Sequence, residues 1–430
     1  MSSNPVFTPI QSIDRIDFLD ILRGISIMFI FTANIPFFSG LWFFEPDHHI
    51  REINWASDAM VNFFMYVLVD GKFYTIFSLL FGIGFVIQYN NITSKNGSFA
   101  PFFRKRMFWL LVFGLIHLFL IWAGDILTLY AVLGFVLIWF MKSSDKTLLI
   151  TAAVLILFPL VNWAFMHFTG IFYPGLAFEQ STSIYRYFGM PITEMNGFQT
   201  PDIQAYLLND SILNFFKMNL GDGFIRIGMI LEEGRIFKVF GIFLIGLWAG
   251  RKILNGNLLD NTAFLKKVFI IGLLVGLPLN IARGYLEFYT ERSTITQFFH
   301  VLNYALGTVP LALSYAAGIA LICHKGAGVL NVFKPVGKMA LSCYLSHSVI
   351  AIIIFYGFGF NLTGKYGYTI IMIIAFSIFA VQAYFCKVWF QYFKHGPMEW
   401  LWRKLVYSNK VQLKKSKLKN VRLSNHINNE

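Results

Sequence analysis

Ten stretches of this sequence stay apolar for about the length that crosses a bilayer: 18–38, 73–90, 106–123, 126–141, 147–168, 236–250, 267–282, 298–323, 339–358 and 367–390. Spanning roughly 30 Å of hydrocarbon at about 1.5 Å per residue takes about 20 residues. Within hydrocarbon every backbone N–H and C=O must find its partner inside the protein, which leaves only helices or a closed barrel. Barrel strands would alternate polar and apolar side chains, and these runs do not. The pattern predicts an all-α, polytopic membrane protein with about ten transmembrane helices. Composition agrees, since only 13% of the 430 residues are charged, against about a quarter in a soluble domain. The weakest run, 236–250, includes Lys238, whose ammonium is expected to snorkel to the outer interface.

The net charge of +13 would suit a nucleic-acid partner, but its placement argues for a membrane. Basic residues gather in alternate loops: Lys95, Arg104, Lys105 and Arg106; Arg251, Lys252, Lys266 and Lys267; Lys325, Lys334 and Lys338. Loops rich in Lys and Arg face the cytoplasm, so both termini are expected there, in the inner (plasma) membrane of a bacterium. Arg15 to Arg23 lead directly into a span too long for a cleavable leader. The tail 403–430, with Lys414, Lys415, Lys417, Lys419 and Arg422, suits anionic headgroups better than nucleic acid.

Residues 1–402 are expected to form one transmembrane domain: a first half (1–168), an outer loop or cap (169–221) broken by Pro174, Pro191 and Pro201, and a second half (222–402). Asp58–Val69 is too short to cross alone, so it lies in the interface or extends the second span. No repeat of 20–50 residues is visible, so the inverted-repeat signature of secondary transporters is missing. Cys323, Cys343 and Cys386 suggest neither a metal site nor a disulfide framework. No cofactor is evident. The expected partners are the bilayer and a small-molecule or lipid substrate, with a homo-oligomer left open.

Ionisable groups at membrane depth are costly, so each is a candidate site. RIDFLDILRGISIMFIFTAN carries Asp20 and Arg23, three apart and able to pair, with Asn34 eleven residues beyond Arg23 on nearly the same stripe. A helix-end salt bridge and an interhelical hydrogen bond account for them equally well. GLIHLFLIWAGDILTLYAVLG holds His117, Asp125 and Tyr130. On a straight helix residues eight apart lie about 80° from the same face, so His117 and Asp125 would share a cavity only from neighbouring stripes. Asp125 also reads as a cap on the fourth span, and a buried His is often only structural. GKMALSCYLSHSV places His347 among Ser342, Ser346 and Ser348; His347 is expected to face His117 near the midplane. Serines there also serve simply as interhelical hydrogen-bonding groups. Gly82 and Gly84, Gly241, Gly246 and Gly250, and Gly272 with Gly276 are expected to allow close helix approach. Glu399, Trp400, Trp402 and Arg403, in HGPMEWLWRKL, are expected to anchor the chain at the interface.

Six stretches together resemble the YeiB-like family of bacterial inner-membrane proteins: LDILRG (19–24), GKFYTIFSLLFGIGF (71–85, opening with Lys72), the GLIH…GDIL…YA…G block (114–134), FGIFLIGLWAGR (240–251), GKMALSCYLSHS (337–348) and GPMEWLWR (396–403). They run from the first span to the last in order. The opening LDILRG is also similar to the first helix of the acyltransferase type-three and heparan-glucosaminide acetyltransferase superfamily. In acyltransferase type-three members an Arg is followed eleven positions later by a His. Arg23 matches the Arg, but Asn34 stands at the second position, and an amide is not a base. The heparan-type branch has an Asn there and a catalytic His in the following loop; His48 and His49 lie in a comparable loop.

The leading expectation is a membrane-embedded acyltransferase that moves an acyl group from a cytoplasmic thioester, acyl-CoA being a possible donor, to an extracytoplasmic or lipid-phase acceptor. His117, His347 or His48 would act as base with Asp125 beside them. Asp20, Arg23, Asn34, Lys72, Arg104, Arg106, Tyr130 and Ser346 would bind donor or substrate. The competing expectations are a transporter or exporter of a small amphiphile, and a non-enzymatic membrane scaffold.

Overall fold

The computed structural model describes residues 16–45, 48–195, 198–407 and 411–415. Arg15 and most of the expected basic tail lie outside the described residues. Among the described residues the fold is all-α apart from one short pair of antiparallel strands. In order it forms α1 (Asp17–Phe38), α2 (Asp58–Leu68), α3 (Lys72–Thr93), α4 (Phe99–Ile116) running into a π-turn (His117–Ile121), α5 (Leu127–Leu137) and α6 (Asp145–Thr169). Then come α7 (Gly175–Tyr187), strands β1 (Ile192–Met195) and β2 (Phe198–Pro201), α8 (Ile203–Leu208), α9 (Ile212–Glu232) and α10 (Arg235–Asn255). The chain closes with α11 (Thr262–Tyr289), α12 (Thr294–His324), α13 (Phe333–Lys338), α14 (Ala340–Phe355), α15 (Tyr368–Tyr392) and α16 (Pro397–Tyr407).

Among the described residues, six segments are long and apolar enough to cross a membrane: α1, α2 with α3, α6, α11, α12 and α15. A seventh arises if α13 and α14, bent by 81°, count as one. The remaining expected runs are helical but shorter or more charged. Segment α4 opens with Arg104, Lys105 and Arg106, and α10 carries Arg235, Lys238, Arg251 and Lys252. Helix α2 extends the second span, with Gly71 (φ +84°) making the break. In α6 and α11 only 22% and 17% of the apolar window is buried, so their outer faces, with Val161 and Leu274, suit lipid.

Glycine sets the closest helix crossings. A Cβ on Gly82 would sit 2.2 Å from the Phe243 carbonyl oxygen, and one on Gly246 would sit 2.3 Å from that of Leu79, locking α3 to α10. Gly272 and Gly276 meet the Pro310 and Leu311 backbone in the same way, joining α11 to α12. Gly24 and Gly337 seat α1 on α13, where their Cβ atoms would lie 2.1 Å and 1.8 Å from the oxygens of Phe333 and Asp20. Small residues permit this backbone approach.

The bend between α13 and α14 leaves the first N–H groups of α14 without helical partners. Glu399 of α16 supplies them: one carboxylate oxygen accepts from Leu341 N (2.7 Å) and Ser342 N (3.1 Å), the other from Ser342 Oγ (2.6 Å). Burial pushes this carboxyl upward, and these hydrogen bonds oppose that push. The indole N–H groups of Trp402 and Trp400 are both held by backbone carbonyls. Trp402 Nε1 donates to the Arg106 carbonyl at 3.1 Å, and Trp400 Nε1 to that of Val411 at 2.9 Å.

The cap between α6 and α10 contains α7, the two strands, α8 and α9. The boundary expected at 221/222 falls inside α9. Tyr185 donates to Asp222 at 2.8 Å across α7 and α9, while the second oxygen of Asp222 is buried without a partner. Burial pushes the Asp222 carboxyl up to about 7. An unfolded Asp titrates near about 3.9, so between those values the folded chain holds the extra proton. This contribution is therefore fully present below about pH 4 and is lost as pH rises through about 7. Thermal unfolding of the purified protein should show stability falling across that window by up to about 4 kcal/mol. Asp222→Asn should flatten the fall; a pH profile unchanged by that substitution would remove Asp222 as its cause.

Candidate functional site: a buried Ser–His–Asp relay

His117 lies eleven residues beyond Arg106, about 16 Å of helical rise into the bundle. It is fully buried, and both ring nitrogens are engaged. Nδ1 stands 2.9 Å from Asp125 Oδ1, and Nε2 stands 2.9 Å from Ser348 Oγ. Asp125 and Ser348 are each 2% exposed. The three side chains form a serine–imidazole–carboxylate relay from segments more than 200 positions apart.

Local backbone geometry makes the His–Asp pair possible. At His117 the α-helix widens into a π-turn, and at Trp122 the chain becomes extended (φ −160°, ψ 130°). The chain then doubles back through Ala123 and Gly124, bringing Asp125 beside the ring it follows by eight residues. The neighbouring-stripe expectation from a straight helix is thereby corrected, because the helix ends between the two. A Cβ on Gly124 would overlap the Trp122 ring at 2.1 Å, so this fold-back requires glycine. Asp125 Oδ2 also accepts from Thr128 N at 2.7 Å, which caps α5 and fixes the carboxylate. On α14, Tyr344 and Ser348 share a face: Ser348 bonds His117, while the Tyr344 ring lies 5.1 Å from it and its hydroxyl donates to Gly124 O.

His347 does not face His117. One position before Ser348 and about 100° around the helix, it stacks on Phe31 of α1 at 4.1 Å, with its Nε2 buried and unpartnered. Ser346 is occupied by Cys343 O and Gln382. Tyr130 is bound to Ser78 (2.6 Å) and Tyr74 O (3.1 Å). His48 sits against Phe44 and His49 in its own loop, and among the described residues no hydrogen bond or ring contact joins it to His117 or His347.

At the opposite end of α1, Arg23 pairs with Asp20 at 2.9 Å and reaches Gly337 O at 3.4 Å. Arg106 lies flat on Trp402, 3.7 Å from the ring centre, and is an electrostatic neighbour of Arg23. Arg104 is exposed, and Asn34 is half-buried. Lys72 belongs to neither group. It is wholly buried at the α2–α3 break, donating to Asp70 O (2.7 Å) and Tyr66 O (3.1 Å). Lys238 is also wholly buried, donating to Tyr304 O at 2.8 Å. The expected snorkelling is corrected: the carbonyl and ring of Tyr304 hold the ammonium inside.

Sequence reasoning missed Ser348 as the partner of His117, and Trp122, whose Nε1 is a buried donor without an acceptor, its indole 6.2 Å from the imidazole. It also missed Arg226, which donates to the Asp125 carbonyl at 3.4 Å. The one available signal was SHS in YLSHSV, where serine and histidine alternate.

Residues 249–409 match the family described as "Protein of unknown function (DUF418)". The chain is 29% identical over 418 residues to "Uncharacterized protein YxaH" of Bacillus subtilis (strain 168), covering 93% of this chain and 96% of that protein. It is 25% identical over 416 residues to "Uncharacterized protein YeiB" of Escherichia coli (strain K12), covering 90% and 95%. It is similar along nearly its whole length to these YeiB-like proteins of unknown function. Within this YeiB-like chain the resembling stretches divide into two kinds. LDILRG, FGIGF, FGIFLIGLWAGR and Gly337 at the head of GKMALSCYLSHS carry packing glycines and GPMEWLWR packs Glu399 against α14, whereas GLIH…GDIL and the rest of GKMALSCYLSHS carry the relay.

Proposed function

We propose that this YeiB-like protein is a membrane-embedded acyltransferase in which Ser348, His117 and Asp125 carry the acyl group between donor and acceptor. One observation bears the reading: a hydroxyl, an imidazole and a carboxylate joined in series at 2.9 Å each. That is the arrangement by which a weak hydroxyl becomes a nucleophile. The π-turn under His117 supports it, since such turns are frequent at functional sites. So does the similarity of LDILRG to the acyltransferase superfamily.

In the first half-reaction Ser348 Oγ attacks the carbonyl carbon of an acyl thioester, and its proton passes to His117 Nε2. Asp125 holds the imidazolium by its Nδ1–H, the carbon–sulfur bond breaks, and His117 returns the proton to the leaving thiolate. In the second, an acceptor hydroxyl or amine attacks the Ser348 ester and gives its proton to His117. The carbon–Oγ bond then breaks and Ser348 recovers that proton. Trp122 Nε1 is the unspent donor for the oxyanion. Ten helices with both termini cytoplasmic, in a bacterial inner membrane, would set this relay at mid-depth. Arg23, Arg104 and Arg106 would then face the phosphates of a donor such as acyl-CoA, with an acceptor entering from outside or from lipid.

The test is incubation of purified protein with acetyl-CoA labelled in the acetyl group, followed by peptide mass analysis. Label on Ser348 in wild type, absent from Ser348→Ala, is expected. No covalent label and no thioester turnover would overturn the proposal. Substrate flux into proteoliposomes without chemical change would favour a transporter.

A further inference from the structure

We infer that the break between α2 and α3, together with the start of α10, the last turns of α11 and the middle of α12, forms a binding site for a phosphate group. Four cations converge there. Arg283 pairs with Asp70 at 3.0 Å, and Arg235 Nε donates to Glu233 at 2.7 Å. Lys72 and Lys238 have no carboxylate within ion-pair distance among the described residues, only the backbone carbonyls of Tyr66, Asp70 and Tyr304. Two carboxylates against four cations leave a surplus of two positive charges. An uncompensated charge away from water costs several kcal/mol, so a surplus of two calls for a counter-charge.

The donors are in place and unspent. Arg283 is 7% exposed, yet its Nε and Nη1 are buried without an acceptor. Its guanidinium lies against the rings of Tyr66 (4.3 Å) and Tyr304 (4.9 Å), which fixes its plane. Thr308 Oγ1 is likewise buried and unpartnered, next to the Gly71 that precedes Lys72. A planar guanidinium edge, two ammonium groups and a hydroxyl suit a tetrahedral oxyanion, which accepts several hydrogen bonds at once. A phosphate dianion also cancels the surplus.

Asp70 lies at the start of α3, Arg235 at the start of α10, and Arg283 within the last two turns of α11. Thr308 and Tyr304, however, stand midway along α12, so the site lies inside the bundle at the α2–α3 break. The phosphate belongs either to an amphiphile seated from the bilayer or to a soluble phosphorylated molecule. The inference rests on binding alone and is independent of the acyl-transfer reading.

The test uses full-length protein in maltoside micelles free of phospholipid. Binding of radiolabelled inorganic phosphate and of radiolabelled short-chain phosphatidate is measured by equilibrium dialysis. Saturable binding of at least one probe is expected, weakened tenfold or more in Arg283→Lys and in Lys238→Met. The exposed Arg292→Gln should leave it unchanged. Inorganic phosphate binding alone points to a soluble source, phosphatidate alone to a lipid, and both to recognition of the phosphate itself. Protection of Thr308 and Lys72 amides from hydrogen exchange by the bound probe, read on wild type, serves if the variants fail to fold. Binding of neither probe, or binding indifferent to both substitutions, overturns the site.

Discussion

His117→Ala should lower acyl transfer from thioester to acceptor by about 10³-fold or more, the loss seen when a relay loses its base. Asp125→Asn separates chemistry from folding. The amide oxygen can still accept from Thr128 N, so the cap on α5 survives. Its NH₂ group cannot accept from His117 Nδ1–H, so the imidazole loses the tautomer that takes a proton from Ser348. A fall of about 10³–10⁴ in turnover with unchanged unfolding temperature is the expected result. Combining His117→Ala with Ser348→Ala should cost little beyond either alone, because the groups act as a unit. Independent, multiplying losses, measured by single-turnover kinetics, would show that the three side chains do not work together.

Gly337→Val should be the most damaging packing change in the bundle. Its Cβ would lie 1.8 Å from the Asp20 oxygen, 2.7 Å from the Asp20 carbon and 3.0 Å from Gly24 N, all backbone atoms that cannot rotate aside. Helices α1 and α13 must then separate, and Arg23 loses its reach to Gly337 O. The expected cost is about 3 kcal/mol or more, read as lost monodisperse protein or a lowered unfolding temperature in detergent. Because α14 leaves α13 through the 81° bend, the displacement should also misplace Ser348. Gly84 is the contrast: a Cβ there meets nothing within 4 Å, which corrects the packing role expected of it, and Gly84→Ala should be neutral or gain up to about 1 kcal/mol from helix propensity. Equal stability of Gly337→Val and Gly84→Ala would mean that the α1–α13 crossing is not close-packed.

The helices were legible because their signal is local. Twenty apolar residues in series need only oil as a solvent, and the expected runs are helical in the structure. The Asp20–Arg23 pair was legible for the same reason, being three residues apart on one helix. Local periodicity misled where a helix stops. His117 and Asp125 diverge on an uninterrupted helix and meet only because the π-turn and the Gly124 fold-back reverse the chain. Lys238 was expected at the interface because a lone lysine in an apolar run has nowhere else to go. Tyr304, on a helix two elements later, gives it somewhere.

Composition and apolar run length determine the helical class, which depends on a residue and its near neighbours; they do not determine every glycine on which the helices close, since Gly84 meets nothing within 4 Å while Gly24 and Gly337 seat α1 on α13. Which polar side chains meet is a property of three or four helices at once. Ser348 rather than His347 reaches His117 because of how far α14 is rotated, and a rotation of about 100° moves the contact by one residue. No pattern along the chain encodes that angle; the packing of α1, α13 and α16 around the bend sets it.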